Sequence, residues 1–192
     1  MAKAGKTGVT ENTPKNILFG AGSIHKNLVY ADGSWNFKES IIGATSGGSK
    51  LSIIPEITKI EVDGALVATK GLTVKTGETA TMEINFIELT PDLIKTATIG
   101  VAGTSDDATY DMIQSKANIE EGDYWDNVAF VGQTLEGKNV IAILENAICT
   151  SGFEQESKNK EGAIGKYTFE SHAELTSDLD TLPWKIFYPK MA

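Results

Sequence analysis

The stretch TATMEINFIEL, residues 79–89, decides the fold class. Met82, Ile84 and Phe86 recur at every second position, with Glu83 and Asn85 between them. Successive side chains alternate between the two faces of a strand, so this period predicts a strand with one face in a core and the other in water. The segments on either side extend the pattern. LSIIPEITKIEVDG (51–64) alternates Ile60 and Val62 against Lys59, Glu61 and Asp63 and stops at Asp63–Gly64, a dipeptide suited to a tight turn. ALVATKGLTVKTGE (65–78) follows, with turns expected at Lys70–Gly71 and Thr76–Gly77–Glu78. Turn signals at intervals of about eight to twelve residues point to an antiparallel sandwich or barrel.

Later segments agree. DYWDNVAFVGQTLEGKNVIAILENAICTSG (123–152) reads as two long strands around a turn at Leu135–Lys138. GKYTFESHAELTSD (165–178) sets Tyr167, Phe169 and Ser171 against Lys166, Thr168 and Glu170, and WKIFYP (184–189) closes the chain as a short strand. ELTPDLIKTATIG (88–100) is the one helix expected. Thr90 stands at its N-cap, Pro91 at the first helical position, Asp92 against the positive helix end and Gly100 at its stop. Leu93, Ile94 and Ala97 form its packing stripe. At about two turns such a helix does not persist alone and must lie on a sheet.

Three segments read as irregular. Residues 1–16 are small, polar and proline-containing, and predict a flexible arm ahead of one domain, 17–192. GATSGGSK (43–50) has three glycines and three hydroxyl residues in eight, and predicts a flexible loop. SGFEQESKNKEGAIG (151–165) reads as an exposed charged loop.

Composition narrows the function classes. Twenty-six acids oppose seventeen basic residues, all lysine, for a net charge of −9. Arginine supplies the bidentate fork that grips phosphate and guanine, so its absence argues against nucleic-acid binding. No apolar run nears the ~18–20 residues that span a bilayer, and no apolar stretch follows the N-terminal lysines. A soluble chain made in the cytoplasm is expected, with no membrane partner. The lone Cys149 forms no internal disulfide and, after IAILENAI, reads as a small buried hydrophobe. Neither Asp106, Asp107 and Asp111 nor Glu120, Glu121, Asp123 and Asp126 match the pattern of a calcium loop, with its alternate ligand spacing, mid-loop glycine and closing bidentate acid. Gly20–Ala21–Gly22 precedes no helix and has no lysine at phosphate-loop spacing. No nucleophile motif occurs, and neither a cofactor nor an enzymatic activity is expected.

In their order and spacing, several pieces resemble the major tail tube proteins of long-tailed bacteriophages and related phage-like particles. They are NTPKNILFGAGSIHKN (12–27), IIGATSGGSKLSIIPEITKIEVDGA (41–65), VATKGLTVKTGETATMEINFIELT (67–90) and the closing LPWKIFYP (182–189). Residues 100–135 carry little of the resemblance. It implies a mainly β chain, an antiparallel two-sheet sandwich flanked by one short α-helix, with a long projecting loop. By position that assembly loop falls at about 33–50. It also implies hexameric rings stacked into a virion tube that is assembled in the host bacterial cytoplasm around a tape-measure protein and stopped by a terminator. Phage DNA passes through the tube without being specifically bound.

Under that resemblance, Gly43, Ala44, Thr45, Ser46, Gly47, Gly48, Ser49 and Lys50 form the ring-stacking loop. Glu83 and Asn85 face the lumen, where negative charge repels DNA. The lumen is alternatively lined by strands 139–147 or 166–174, through Glu145 or through Glu170 and Glu174. Polar outer faces are also ordinary for strands in soluble proteins. The rival function is a monomeric β-sandwich module that binds carbohydrate or a surface partner. It needs an exposed aromatic platform, and Trp35, Trp125 and Trp184 are far apart in the chain.

Overall fold

In a computed structural model, which describes residues 7–157, 159–160 and 162–190, the chain is mainly β. Helix α1 (Thr13–Asn16) leads into β1 (Leu18–Lys26), the short hairpin β2 (Tyr30–Ala31) and β3 (Ser34–Trp35), and α2 (Phe37–Ser40). The long strands β4 (Thr45–Lys59) and β5 (Thr73–Phe86) follow, then α3 (Pro91–Thr98) and a second small hairpin, β6 (Val101–Gly103) with β7 (Met112–Gln114). After a 3-10 turn at Glu121–Asp123 come β8 (Trp125–Thr134), β9 (Asn139–Cys149), β10 (Gln155–Glu156), β11 (Ile164–Ser171) and β12 (Trp184–Phe187).

Eight strands form one antiparallel sheet, ordered β1-β8-β9-β11-β5-β4, with β10 on β11 and β12 on β9. The alternation that opens the sequence is realised residue by residue. Met82, Ile84 and Phe86 are buried, and they lie opposite Phe169, Tyr167 and Gly165 of β11. The main core also takes in Ile24 of β1, Val128, Leu144, Cys149, and Leu51 and Ile53 of β4. A core shared by the first and last strands of the order means that the sheet curls around it. Helix α3 closes this core with Leu93 and Ala97, capped by the Thr90 hydroxyl, which accepts from the Leu93 amide.

A second, smaller core lies on the other side of β8 and β9. Leu28, Trp35 and Phe37 cover Ala129, Val131, Ile141 and Ile143. Asn127 fixes this covering segment, accepting from the Leu28 amide at 2.9 Å and donating to the Leu28 carbonyl at 3.2 Å.

Several expectations are corrected. Residues 45–50 are strand, not loop: Gly47 and Gly48 adopt φ of +84° and +82°, and the register with β5 slips between Thr45 and Ser49. Glycine there makes a bulge that lets the ladder continue. The same holds at Thr76–Gly77–Glu78, where Glu56 pairs with Gly77 and Ile57 with Lys75, leaving Thr76 as the extra residue. Residues 33–50 do not form one long loop, since β3, α2 and the start of β4 divide them. Two four-residue helices accompany the expected one, and α1 occupies the end of the expected arm, whose first six residues lie outside the described ones.

The alternation at Ile60 and Val62 lies beyond the end of β4, and both side chains are exposed. Helix α3 stops one residue early, with Ile99 in the left-handed conformation (φ 49°). Gly100 serves close packing instead, because a Cβ there would stand 3.0 Å from Ile113 and 3.1 Å from the Gln114 carbonyl. None of the described helices is long and apolar enough to cross a membrane.

Candidate functional site

The feature that the core does not account for is the far end of the β4–β5 hairpin. β11 pairs with β5 only from Thr81 to Phe86, so β4 and β5 run on together with no third strand beside them among the described residues. From Ile54 to Gly71 every residue is exposed. Ile54 and Ile57 are 60% exposed, and Leu66 and Val67, in the connection between the two strands, reach 98% and 79%. Removing such side chains from water is worth about 1.5–3 kcal/mol each, and a monomer forgoes that gain. Lys59 closes the ladder against Thr73, and turns at Asp63–Gly64 and Lys70–Gly71 shape the tip.

Open edges adjoin this hairpin. β4 ends the sheet order and pairs only with β5 among the described residues. Pro55, which has no N–H to give to a ladder, sits in this strand, where an edge tolerates it. On its other side β5 has no strand partner from Thr73 to Ala80 among the described residues, because β11 leaves the sheet at Ser171. β12 enters there on β9, and its Trp184 indole N–H donates to Glu78 at 3.0 Å. That hydrogen bond, with a second from Lys75, holds the Glu78 carboxyl below its ordinary range. The indole bond ties β12 to the unpaired half of β5 through side chains, not through a ladder.

The residues expected to face a lumen lie in three places. Opposed residues in a ladder share a face, so Glu83, Asn85 and Glu170 lie together on the outer face of β5 and β11, with Thr81, Thr168 and Lys166. Lys50 pairs with Glu83 at 2.6 Å, and Asn85 donates to the Gly48 carbonyl at 3.1 Å. This face is locally balanced, two lysines against two acids. Glu145 sits apart on β9, ion-paired to Lys185 of β12. Glu174 is not on a strand, because β11 ends at Ser171 and Glu174 lies in an exposed turn.

Of the ring-stacking residues, Gly43 and Ala44 precede β4, and the Ala44 amide donates to Glu88 at 3.1 Å. Thr45, Ser46, Gly47, Gly48, Ser49 and Lys50 lie on the bulged start of the strand, and Ser46 and Gly47 line a cleft of about 510 Å³ with Asn85, Gln155 and Lys166.

Sequence reasoning missed the hairpin as a surface. The signal was present as apolar residues at positions 54, 57, 60, 62, 66 and 67, but alternation reports a two-faced strand and not whether a core lies beneath it.

The acidic loops have local roles. Asp107 accepts from both the amide and the hydroxyl of Thr109, which lower its pKa. Burial opposes ionisation of Asp123, and hydrogen bonds from Lys116 at 2.7 Å and from the Glu120 amide outweigh it, so its pKa falls. Trp125 is buried, while Trp35 and Trp184 are half-buried. No protein-family model matches the chain, and no curated protein matches it.

Proposed function

We propose that this protein is the structural subunit of a phage-type tail tube, self-assembling into hexameric rings that stack into a conduit for DNA. The observation that carries the reading is the unsupported β4–β5 hairpin, with Ile54, Ile57, Leu66 and Val67 in water beside open sheet edges. Exposed edges of this length invite uncontrolled pairing unless a partner covers them, and identical copies are the partners always at hand. A contact between different surfaces closes into a ring when its rotation permits, and a second such contact along the axis builds a filament.

In this reading the curled sheet is the sandwich of the tail tube fold, and the outer face of β5 and β11 turns toward the bore. Repulsion of DNA then comes from the net charge of −9, multiplied by the copies in each ring, because the face itself is balanced. The bulged start of β4, rather than a free loop, supplies the contact to the next ring. A tape-measure protein and a terminator set the tube length, and the tube belongs to the virion tail. The protein has no enzymatic role. For the rival binding module, Trp125 is buried and Trp184 half-buried, and the aromatic cluster that reaches the surface is Trp35 with Tyr30 and Phe187, 5.2 and 5.1 Å from it.

Sedimentation velocity over a concentration series tests the association. Wild type is expected to pass from monomer to species of six subunits and larger. A variant carrying Leu66→Lys and Val67→Lys is expected to stay monomeric with an unchanged circular-dichroism spectrum. Equal association of the two proteins would overturn the hairpin's role, and a wild type monomeric throughout would overturn the tube reading.

A further inference from the structure

His25 is a buried titratable group that the proposed assembly leaves unused. It is 2% exposed, in β1, beneath the segment that covers the β8–β9 face. Its Nε2 lies 2.8 Å from Ser23 Oγ and its Nδ1 2.9 Å from Ser40 Oγ. The tautomer follows from the partners. Ser40 gives its hydroxyl proton to the Asn36 carbonyl at 2.8 Å, so its oxygen must accept, and Nδ1 of His25 carries the proton. Nε2 then accepts from Ser23. The neutral ring therefore joins β1 to the last residue of α2, and it packs 5.7 Å from the ring of Phe37.

The strap of residues 28–42 is held at two ends. Asn127 grips Leu28 at one end. At the other, His25 holds Ser40, and the Ile42 amide donates to the Ile24 carbonyl at 3.1 Å. Between them Leu28, Trp35 and Phe37 cover Ala129, Val131, Ile141 and Ile143.

No carboxylate among the described residues hydrogen-bonds or ion-pairs with the His25 ring to stabilise its charge. On β1, Lys26 is committed to Asp92 at 2.8 Å and to the face of Trp125. On α2, Lys38 and Glu39 are exposed, and β8 offers Ala129 as its register partner. Asp92, at the start of α3, faces the same cleft as Glu39 and Ser40 and is paired with Lys26 and Lys95.

We propose that His25 is an acid-sensitive latch: protonation of its ring releases residues 28–42 and uncovers the apolar face of β8 and β9. The inference rests on the packing of this strap and is independent of the tube reading. The sign follows from burial, which holds the His25 pKa below its ordinary value of 6.5 while the strap is closed. An open strap exposes the ring and restores the ordinary value. Below that pH the open form takes up a proton that the closed form refuses, and opening is favoured. Between pH 7.5 and 5.5 the opening constant rises by up to about tenfold.

Amide hydrogen exchange of the full chain, corrected for intrinsic rates, tests this. Protection at Leu28, Asn36, Ser40 and Ile42 is expected to fall, by up to about tenfold, over that range, while β8–β9 amides such as Ile143 hold theirs. In His25→Asn, which keeps a donor near Nδ1 and cannot titrate, strap protection is expected to be flat. Unchanged strap protection in wild type, or an equal fall in the variant, would overturn the proposal. Should His25→Asn fail to fold, an NMR titration of the wild-type ring protons decides. A ring that stays neutral until the strap opens supports the latch, and one that charges near pH 6.5 with the strap closed overturns it.

Discussion

Phe169 has no solvent exposure, and its ring centroid lies 4.6 Å from that of Trp125, so it binds β11 to β8 across the main core. Phe169→Ala is expected to cost about 3–5 kcal/mol, because a cavity is left where the strands cannot collapse. Urea denaturation measures this as a lower midpoint at constant slope. Glu78 carries a different kind of consequence. Its carboxyl is held below the ordinary 4.5 by the Trp184 indole and then by Lys75, so it contributes stability above pH 4.5 that is lost as pH falls through the lowered value. Glu78→Gln keeps an acceptor for the indole and loses the charge. The stability advantage of wild type over this variant is expected to shrink below pH 4.5, and an advantage constant with pH would show that the charge is idle.

Elements were legible where the signal is local. The 79–89 alternation, the Thr90–Pro91 helix start and the turn between β8 and β9 depend on neighbours a few residues away, and each lies where the sequence places it. Gly47–Gly48 and Thr76–Gly77 were misread as loop and turn because a bulge asks the same chemistry of its residues. Only the partner strand distinguishes the two, and that partner is 37 residues distant for Gly48, whose carbonyl accepts from Asn85. The candidate surface was legible in composition but not in placement. The apolar residues beyond Ile54 belong to an element that outruns its sheet, and no sequence period reports where β11 will turn away. Replacing residues 61–71 by an Asn–Gly turn is expected to leave the Thr81–Phe86 pairing with β11 and the folded core intact while abolishing association. Chromatography with light scattering would show a folded monomer. Persistent oligomers would place the contact elsewhere.

At the scale of the molecule, the core is complete and the margins are not. The curled sheet packs Ile24 with Leu51 and Ile53, yet among the described residues β4 has no strand on its outer edge and β5 none besides β4 from Thr73 to Ala80. The projecting hairpin adds apolar surface that no described part of the chain covers. The proposed tube wall of identical copies covers all three, and a net charge of −9 without arginine suits the proposed passage for DNA. The most direct measurement is negative-stain electron microscopy of the purified chain at high concentration, with class averaging of end-on views. Six-fold rings, or tubes of constant width with an open bore, are the expected result. Isolated particles of single-chain size at every concentration, or aggregates of no fixed symmetry, would contradict it.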